Sequence, residues 1–494
     1  MRVGAISLVL GAMACAGPAR APGPAPRPSA SGASVPSASA ADAWRAAVPK
    51  PGAPGQIDYP APAAAKLQSG LTLYVVQRPA KIATLTVVVR HGASSVPRGK
   101  SGLAALTSRM LTEGTRHRGP NALAEAAESL GSSLEHDAGR DYSSVSLTTL
   151  VADVPLGLEL LAEVVREPAF APKELERVRA EWIDGLKSER QAPERLASLA
   201  GLRLLLGEPA GAPVGGSISD VKALGAKDLS SFHRDFWVPS ESAIVVVGDV
   251  EPGAIRRAVD KSFGAWRGQP ARTPNLPAPA PAPPRHLVLV DRPDSVQSAL
   301  FVAQRFPERS EPGFESRQVL NGIVGGLFTS RINKNLREEH AYTYGARSDA
   351  IATRAWGAFV VATSVETGVT ADALVELEKE LLRAKDPSRG APIGAEEVAR
   401  ARADLASGLG AHLEETDRVA SDFALGFAAG LGPGYYADYP QALGRLSVAE
   451  IDKEAQRIDP EHLVIVVVGD KSTIQPALEA HGMHVELATS DLTD

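Results

Sequence analysis

Ala243-Ile244-Val245-Val246-Val247-Gly248-Asp249 recurs, nearly letter for letter, as Val464-Ile465-Val466-Val467-Val468-Gly469-Asp470. A β-branched run of this kind, closed by a Gly-Asp turn signal, reads as a core strand. Each copy follows a helix start, Gly225-Ala226-Lys227-Asp228-Leu229 in one case and Leu446-Ser447-Val448-Ala449-Glu450 in the other. Each also ends a block that opens with β-rich sequence. The first block opens with Leu71 to Gln77 and Ala83 to Arg90, the second with His286 to Asp291 and Ser298 to Gln304. Long helical patterns fill the space between, so an internal duplication is the economical reading. The order predicts an α+β fold made of two homologous domains, each a sheet covered by helices.

Proline marks where the blocks begin and end. Eleven prolines lie between Pro18 and Pro62 and seven between Pro270 and Pro284, out of 38 in the chain. Such concentration marks linkers. The expected organisation is a disordered Pro/Ala-rich tether over 15–62, a first domain over 63–268, a linker over 269–284 and a second domain over 285–488. Within the first domain, Lys173 to Arg203 reads as helical. Leu175, Val178, Trp182 and Leu186 recur there at steps of three or four residues, and Leu196 follows ten residues on, close to three helical turns.

Composition narrows the function classes. The chain has 494 residues and a formal net charge of −6, with no dense Lys/Arg stripe, which argues against nucleic acid as a partner. A single cysteine, Cys15, excludes an intramolecular disulfide and any cysteine-built metal or thiol site. Its position suggests another use. Arg2 precedes an apolar stretch from Val3 to Met13 that is too short to span a bilayer, and Ala12-Met13-Ala14 puts small residues before the cysteine. Residues 1–14 thus read as a signal peptide. The layout resembles a bacterial lipoprotein signal, in which the mature chain begins at the lipidated cysteine, with ordinary secretion as the alternative. That resemblance implies an exported protein whose only membrane contact is a lipid anchor. Ala16 after the cysteine implies the outer membrane, facing the periplasm.

The stretch Gly102-Leu103-Ala104-Ala105-Leu106-Thr107-Ser108-Arg109-Met110-Leu111-Thr112-Glu113-Gly114-Thr115 resembles the zinc helix of the pitrilysin-like (insulinase) peptidases, of the inverzincin type. Members of that family carry G-L-A-H-x-x-E-H-M-L-x-x-G-T, with two histidines for the metal and a glutamate that polarises the attacking water. The resemblance covers nearly all of 71–470 and implies half of a clamshell chamber. Ala105 and Arg109 stand in place of the histidines and Ser108 in place of the glutamate, so two donors and the base are missing together. Arg109, a fixed cation, would repel Zn²⁺. Glu174 and Glu181 resemble the family's second glutamate pair, one of which is its third ligand. Here they read either as salt-bridged surface residues or, for Glu181, as a remnant of the site.

The second block keeps its own signature, Gly325-Gly326-Leu327-Phe328-Thr329-Ser330-Arg331 through Leu336-Arg337-Glu338-Glu339-His340-Ala341-Tyr342-Thr343-Tyr344. It resembles the family's Gly-rich turn, S-R-L-x-x-x-L-R-E helix and following tyrosine. By that resemblance Arg337 and Tyr344, seven residues apart, bind substrate beside a zinc held elsewhere. The plainer alternative makes Arg337 a helix cap or a partner of Glu338 or Glu339, and Tyr344 a strand residue. Some bacterial members divide the zinc helix and the Arg/Tyr pair between two chains, as mitochondrial processing peptidase also has a non-catalytic member. The expectation is therefore a non-catalytic subunit, without a cofactor of its own, that orients unfolded peptide for a zinc-bearing homologous partner. A metal-free scaffold or peptide-binding protein is the alternative, and a self-sufficient enzyme lacks any nucleophile in a recognised setting.

Overall fold

The structure, a computed structural model, describes residues 57–489 apart from 271–275, 277 and 391. The expected signal segment, Cys15 and the tether as far as residue 56 lie outside the described residues. Two six-stranded mixed sheets organise the rest. The first consists of β1 (Ala63–Lys66), β2 (Thr72–Gln77), β3 (Ile82–Val89), β4 (Glu135–Ala138), β5 (Ser143–Leu150) and β6 (Ser242–Gly248), in the order β1-β2-β6-β3-β5-β4. The second consists of β7 (His286–Asp291), β8 (Gln297–Phe306), β9 (Ala346–Ala352), β10 (Gly357–Glu366), β11 (Val464–Gly469) and β12 (Glu486–Leu487), in the order β12-β7-β11-β8-β10-β9.

The repeated valine run explains the plan. In β6, Val245 pairs in parallel with Tyr74 and antiparallel with Thr86; in β11, Val466 pairs in parallel with Val288 and antiparallel with Phe301. Every residue of β6 and β11 is buried. A strand covered on both faces needs apolar side chains without alternation, and this is what the sequence supplies. The sheets differ only at one edge. β1 precedes β2 and pairs with it antiparallel, whereas the corresponding β12 comes from the far end of the chain and pairs with β7 in parallel.

The first half carries α1 (Leu103–Leu111), α2 (Pro120–Glu128), α3 (Val154–Arg166), α4 (Pro172–Gln191), α5 (Pro193–Leu206), α6 (Ile218–Ala223), α7 (Ala226–Phe236) and α8 (Pro252–Phe263). The second carries α9 (Phe314–Asn321), α10 (Arg331–Asn333), α11 (Thr370–Lys385), α12 (Ala395–His412), α13 (Thr416–Ala428), α14 (Tyr435–Arg445), α15 (Val448–Ala455) and α16 (Lys471–Ala480). One face of each sheet is covered by helices of its own half, as where Leu106, Leu161 and Phe232 meet Leu85 and Val246. The other face is covered by a helix from the opposite half. Leu196, Ala200, Leu205 and Leu206 of α5 pack on Phe301, Val464 and Val466. In return, Val419, Ala420, Phe423 and Phe427 of α13 pack on Val76, Val88, Val245 and Val247. Each buried leucine or phenylalanine in these layers contributes on the order of 2 kcal/mol, so neither sheet is complete without the other half.

Three expectations change. The helix over Lys173 to Arg203 is two helices, because Pro193 has no N–H to donate and its ring forces Ala192 into extended backbone, at φ −81° and ψ 117°. The break lets α5 leave α4 and cross to the second sheet. The hairpins β4–β5 and β9–β10 lie within what read as helical sequence. β5, with Ser, Thr, Val and Leu alternating, is only half-buried in pattern and gives a weak strand signal. Finally, the folded part starts before residue 63: Tyr59 is buried, 2% exposed, and its hydroxyl donates to Asp422 of α13 at 2.5 Å. Among the described residues no helix is long and apolar enough to cross a membrane.

Candidate functional site

The helix α1 starts at Gly102, whose φ of +88° suits glycine and whose Cβ, were there one, would meet the Gly215 carbonyl oxygen at 2.7 Å. This fixes the helix against the α5–α6 connection. Leu103, Leu106 and Met110 turn into the core beneath the sheet. Ala105 and Ser108 are also buried, and the Ser108 hydroxyl has no hydrogen-bond partner. Arg109 reaches Glu113 one turn on, Nη1 to Oε1, at 2.5 Å.

Glu113 links α1 to α4. It also pairs with Arg177, which donates from Nε to Glu174 at 3.0 Å and from Nη1 to Glu181 at 2.8 Å. The result is one chain of charges, Arg109–Glu113–Arg177 with Glu174 and Glu181, in which Arg177 stands among three carboxylates. The hydrogen bond to Glu174 is the leading cause that raises the Arg177 pKa above its ordinary value, so its charge is permanent. His136 of β4 feels the same field. Burial first, and then the Arg109 charge, push its pKa down to about 4, which leaves the ring neutral near pH 7. A cleft of about 770 Å³ opens beside the network, lined by Arg109, Glu113, Asn121, Glu174 and Arg177 among others.

The zinc that the resemblance implies for this helix does not fit these residues. A methyl group, a buried hydroxyl and a guanidinium replace the donors, and the carboxylate of Glu181 is already bound to a cation within its own helix. Among the described residues no group of three His, Cys, Asp or Glu side chains is arranged to hold a metal ion. Sequence reasoning singled out Ala105, Ser108, Arg109, Glu174 and Glu181 but missed Arg177, Glu113 and His136. The spacing of Arg177, three after Glu174 and four before Glu181, was a signal for helical ion pairs. The link through Glu113 was not visible, because it joins different helices.

The second set of residues stands on the other half. Gly325 approaches β9 so closely that a Cβ would lie 2.6 Å from the Ser348 hydroxyl. Asn333 then pins both ends of the motif: its Nδ2 donates to the Leu327 carbonyl at 3.1 Å and to that of Ala346 at 2.7 Å, and its Oδ1 accepts from the Ala346 N–H at 2.8 Å. Arg337 lies in a π-helical stretch, Lys334–Glu339, and Tyr344 in the turn before β9. Neither pairs with Glu338 or Glu339, and Tyr344 is not in the strand. Arg337 rests its guanidinium over the Phe328 ring, 4.1 Å from the centroid, and Tyr344 is 93% exposed. Among the described residues neither side chain has a hydrogen bond or ion pair. The structure thus joins Arg109 to Glu181 through Glu113 and Arg177, and leaves Arg337 half-buried beside Phe328 and Tyr344 exposed. Cys15 lies outside the described residues.

Two family models match the chain, one described as insulinase (peptidase family M16) over residues 72–201, the other as the peptidase M16 inactive domain over 223–405. An uncharacterized zinc protease of Mycobacterium tuberculosis is 27% identical over 296 residues, 58% of this chain and 66% of that protein. A probable inactive metalloprotease of Bacillus subtilis is 26% identical over 204 residues, covering 39% of this chain and 46% of the relative. The matches therefore span less than two thirds of those relatives' own length. Among solved structures, a peptidase M16 inactive domain from Pseudomonas fluorescens superimposes with a TM-score of 0.76 at 23% identity, over 83% of this chain and 98% of that one. This last likeness concerns the fold.

Proposed function

Since the chain belongs to the insulinase (M16) peptidase family, we propose that it is a non-catalytic subunit of a heteromeric zinc peptidase, binding and orienting unfolded peptide for a zinc-bearing homologous partner. One observation carries the reading. The helix that would hold the metal has its charges closed upon themselves in the Arg109–Glu113–Arg177 network, while the half-buried Arg337 and the exposed Tyr344 keep their donors unpaired among the described residues. A guanidinium donates in its plane to peptide carbonyls, and a phenol donates to an oxygen that gains negative charge as the peptide bond is attacked. These groups supply the electrostatic part of a hydrolase, and the metal chemistry belongs to the partner.

The same proposal places the protein outside the cytoplasm, held to the bacterial outer membrane by lipid on Cys15. A Cys15→Ser variant that remains membrane-bound through high-salt washing would remove that anchor from the account. The function itself is tested by purifying the chain from its native host and identifying what comes with it. A homologue that contains zinc and cleaves unfolded peptide only in the complex supports the reading. Recovery of the chain alone, or of a complex without zinc, leaves the metal-free scaffold as the better description.

A further inference from the structure

Phe328 is 65% exposed, yet the backbone that carries it is held on both sides. Gly325 is wedged against Ser348, Leu327 packs on the core of the second half, and the Leu327 carbonyl accepts from both the Ser330 N–H, at 3.0 Å, and Asn333, at 3.1 Å. A large apolar ring is thereby presented to water on a fixed turn. The Arg337 guanidinium lies across it.

The geometry of that stack has a chemical consequence. A guanidinium over a ring uses its π-face, and its five N–H donors point outward in its own plane. Arginine bonded to a carboxylate would have those donors occupied; arginine stacked on phenylalanine keeps them free while its side chain is biased towards the stacked arrangement. We propose that Phe328 is a positioning residue, which holds Arg337 with its donor edge turned outward for the in-plane carbonyl acceptors of an extended peptide. This rests on the reading of Arg337 as a peptide-binding group. Ordering the side chain before the ligand arrives removes part of the entropic cost of binding, so the effect appears as affinity.

The test uses the full chain and, as an unfolded probe, fluorescein-labelled α-lactalbumin that has been reduced and carboxymethylated, with binding followed by anisotropy. Arg337→Ala and Phe328→Ala are each expected to weaken binding by roughly three- to tenfold, the double variant no more than the stronger single one. Phe328→Tyr, which keeps the ring face, restores wild-type affinity, and Phe328→Leu, apolar but without the face, does not. Full affinity in Phe328→Leu or Phe328→Ala, or losses that simply add, would overturn the positioning role while leaving Arg337 as a binding group. If the wild-type chain fails to bind the probe, or Arg337→Ala binds it normally, the inference falls together with the reading on which it rests.

Discussion

Gly201 of α5 lies so close to Phe301 of β8 that a Cβ on the glycine would stand 2.3 Å from the ring's Cδ1. The two residues belong to opposite halves of the duplication, so the absence of one methyl group sets how closely a first-half helix settles on the second-half sheet. Gly201→Ala should destabilise the fold by about 1–3 kcal/mol, the usual range for overpacking. Gly185, on the exposed side of α4, has nothing within 4 Å of its would-be Cβ. Gly185→Ala should therefore stabilise by roughly 0.5–1 kcal/mol. Urea unfolding of both variants checks the pair, and equal responses would contradict the proposed packing.

The N-terminal boundary of the fold is testable in the same way. Tyr59 gives its hydroxyl to Asp422, which also accepts from His412 Nδ1 at 2.8 Å, and the ring packs near Phe423 and Tyr436. Tyr59→Phe should cost about 1–2 kcal/mol, since it leaves a nearly buried carboxylate with one partner fewer. A chain starting at Ala63 should lose more, because it also gives up the buried ring. Melting temperatures that match the wild type would place Tyr59 outside the folded unit.

Restoring metal binding should take more than replacing the missing donors. Ala105→His, Ser108→Glu and Arg109→His together leave Glu181 bound to Arg177. Adding Arg177→Gln should release that carboxylate and raise zinc affinity by about tenfold or more over the triple variant, the scale of ligand-orienting interactions. Competition against a chelator measures the difference; equal affinities would show that Arg177 does not restrain Glu181.

In a reconstituted complex with a zinc-bearing partner, Tyr344→Phe should lower peptide turnover by ~10²–10³-fold, as loss of a transition-state donor does, and Arg337→Ala should lower turnover at subsaturating peptide by at least the roughly three- to tenfold expected from weaker peptide binding. Stability should change by no more than about 1 kcal/mol, because among the described residues neither side chain has a hydrogen bond or ion pair and the stack of Arg337 on the exposed Phe328 is a weak contact. Arg337→Lys keeps the charge without the planar fork, and a near-normal rate there would reduce the arginine to a generic cation. Wild-type turnover in the double variant would end the in-trans role.

His136 gives the fold a pH dependence of known sign. Its folded pKa of about 4 lies below the ordinary value of 6.5, so between those values the unfolded chain binds the proton and the folded chain does not. Stability is then lost as pH falls from 6.5 towards 4, and no further loss from this group follows below that. His136→Gln should lose less stability than the wild type over this window, by up to about 3 kcal/mol. Parallel curves for the two proteins would show that the ring is solvated in the folded state.

The sequence by itself determined the duplicated plan and the loss of the metal donors. Both are local readings: a β-branched run closed by Gly-Asp and repeated in two like blocks reads as a strand in each, and Ala105, Ser108 and Arg109 cannot act as the two histidines and glutamate of the motif they resemble, wherever the helix lies. Arg337 and Tyr344 were singled out only by the resemblance of their motif to that of a family, and the structure adds that neither is hydrogen-bonded or ion-paired among the described residues. What the tertiary structure alone decided depends on partners distant in sequence. The valines of β6 and β11 need apolar cover on their second face, but nothing in their own pattern says that it comes from the other half. The Pro-rich segment over 269–284 reads as a cut between domains, yet α5 and α13 cross that division in opposite directions. Likewise, the Arg109–Glu113 pair is local to one helical turn, but only the packing of α1 on α4 brings Glu113 to Arg177 and closes the charges into one network. Periodicity records which residues must be buried or paired; only the packed chain settles what buries and pairs them.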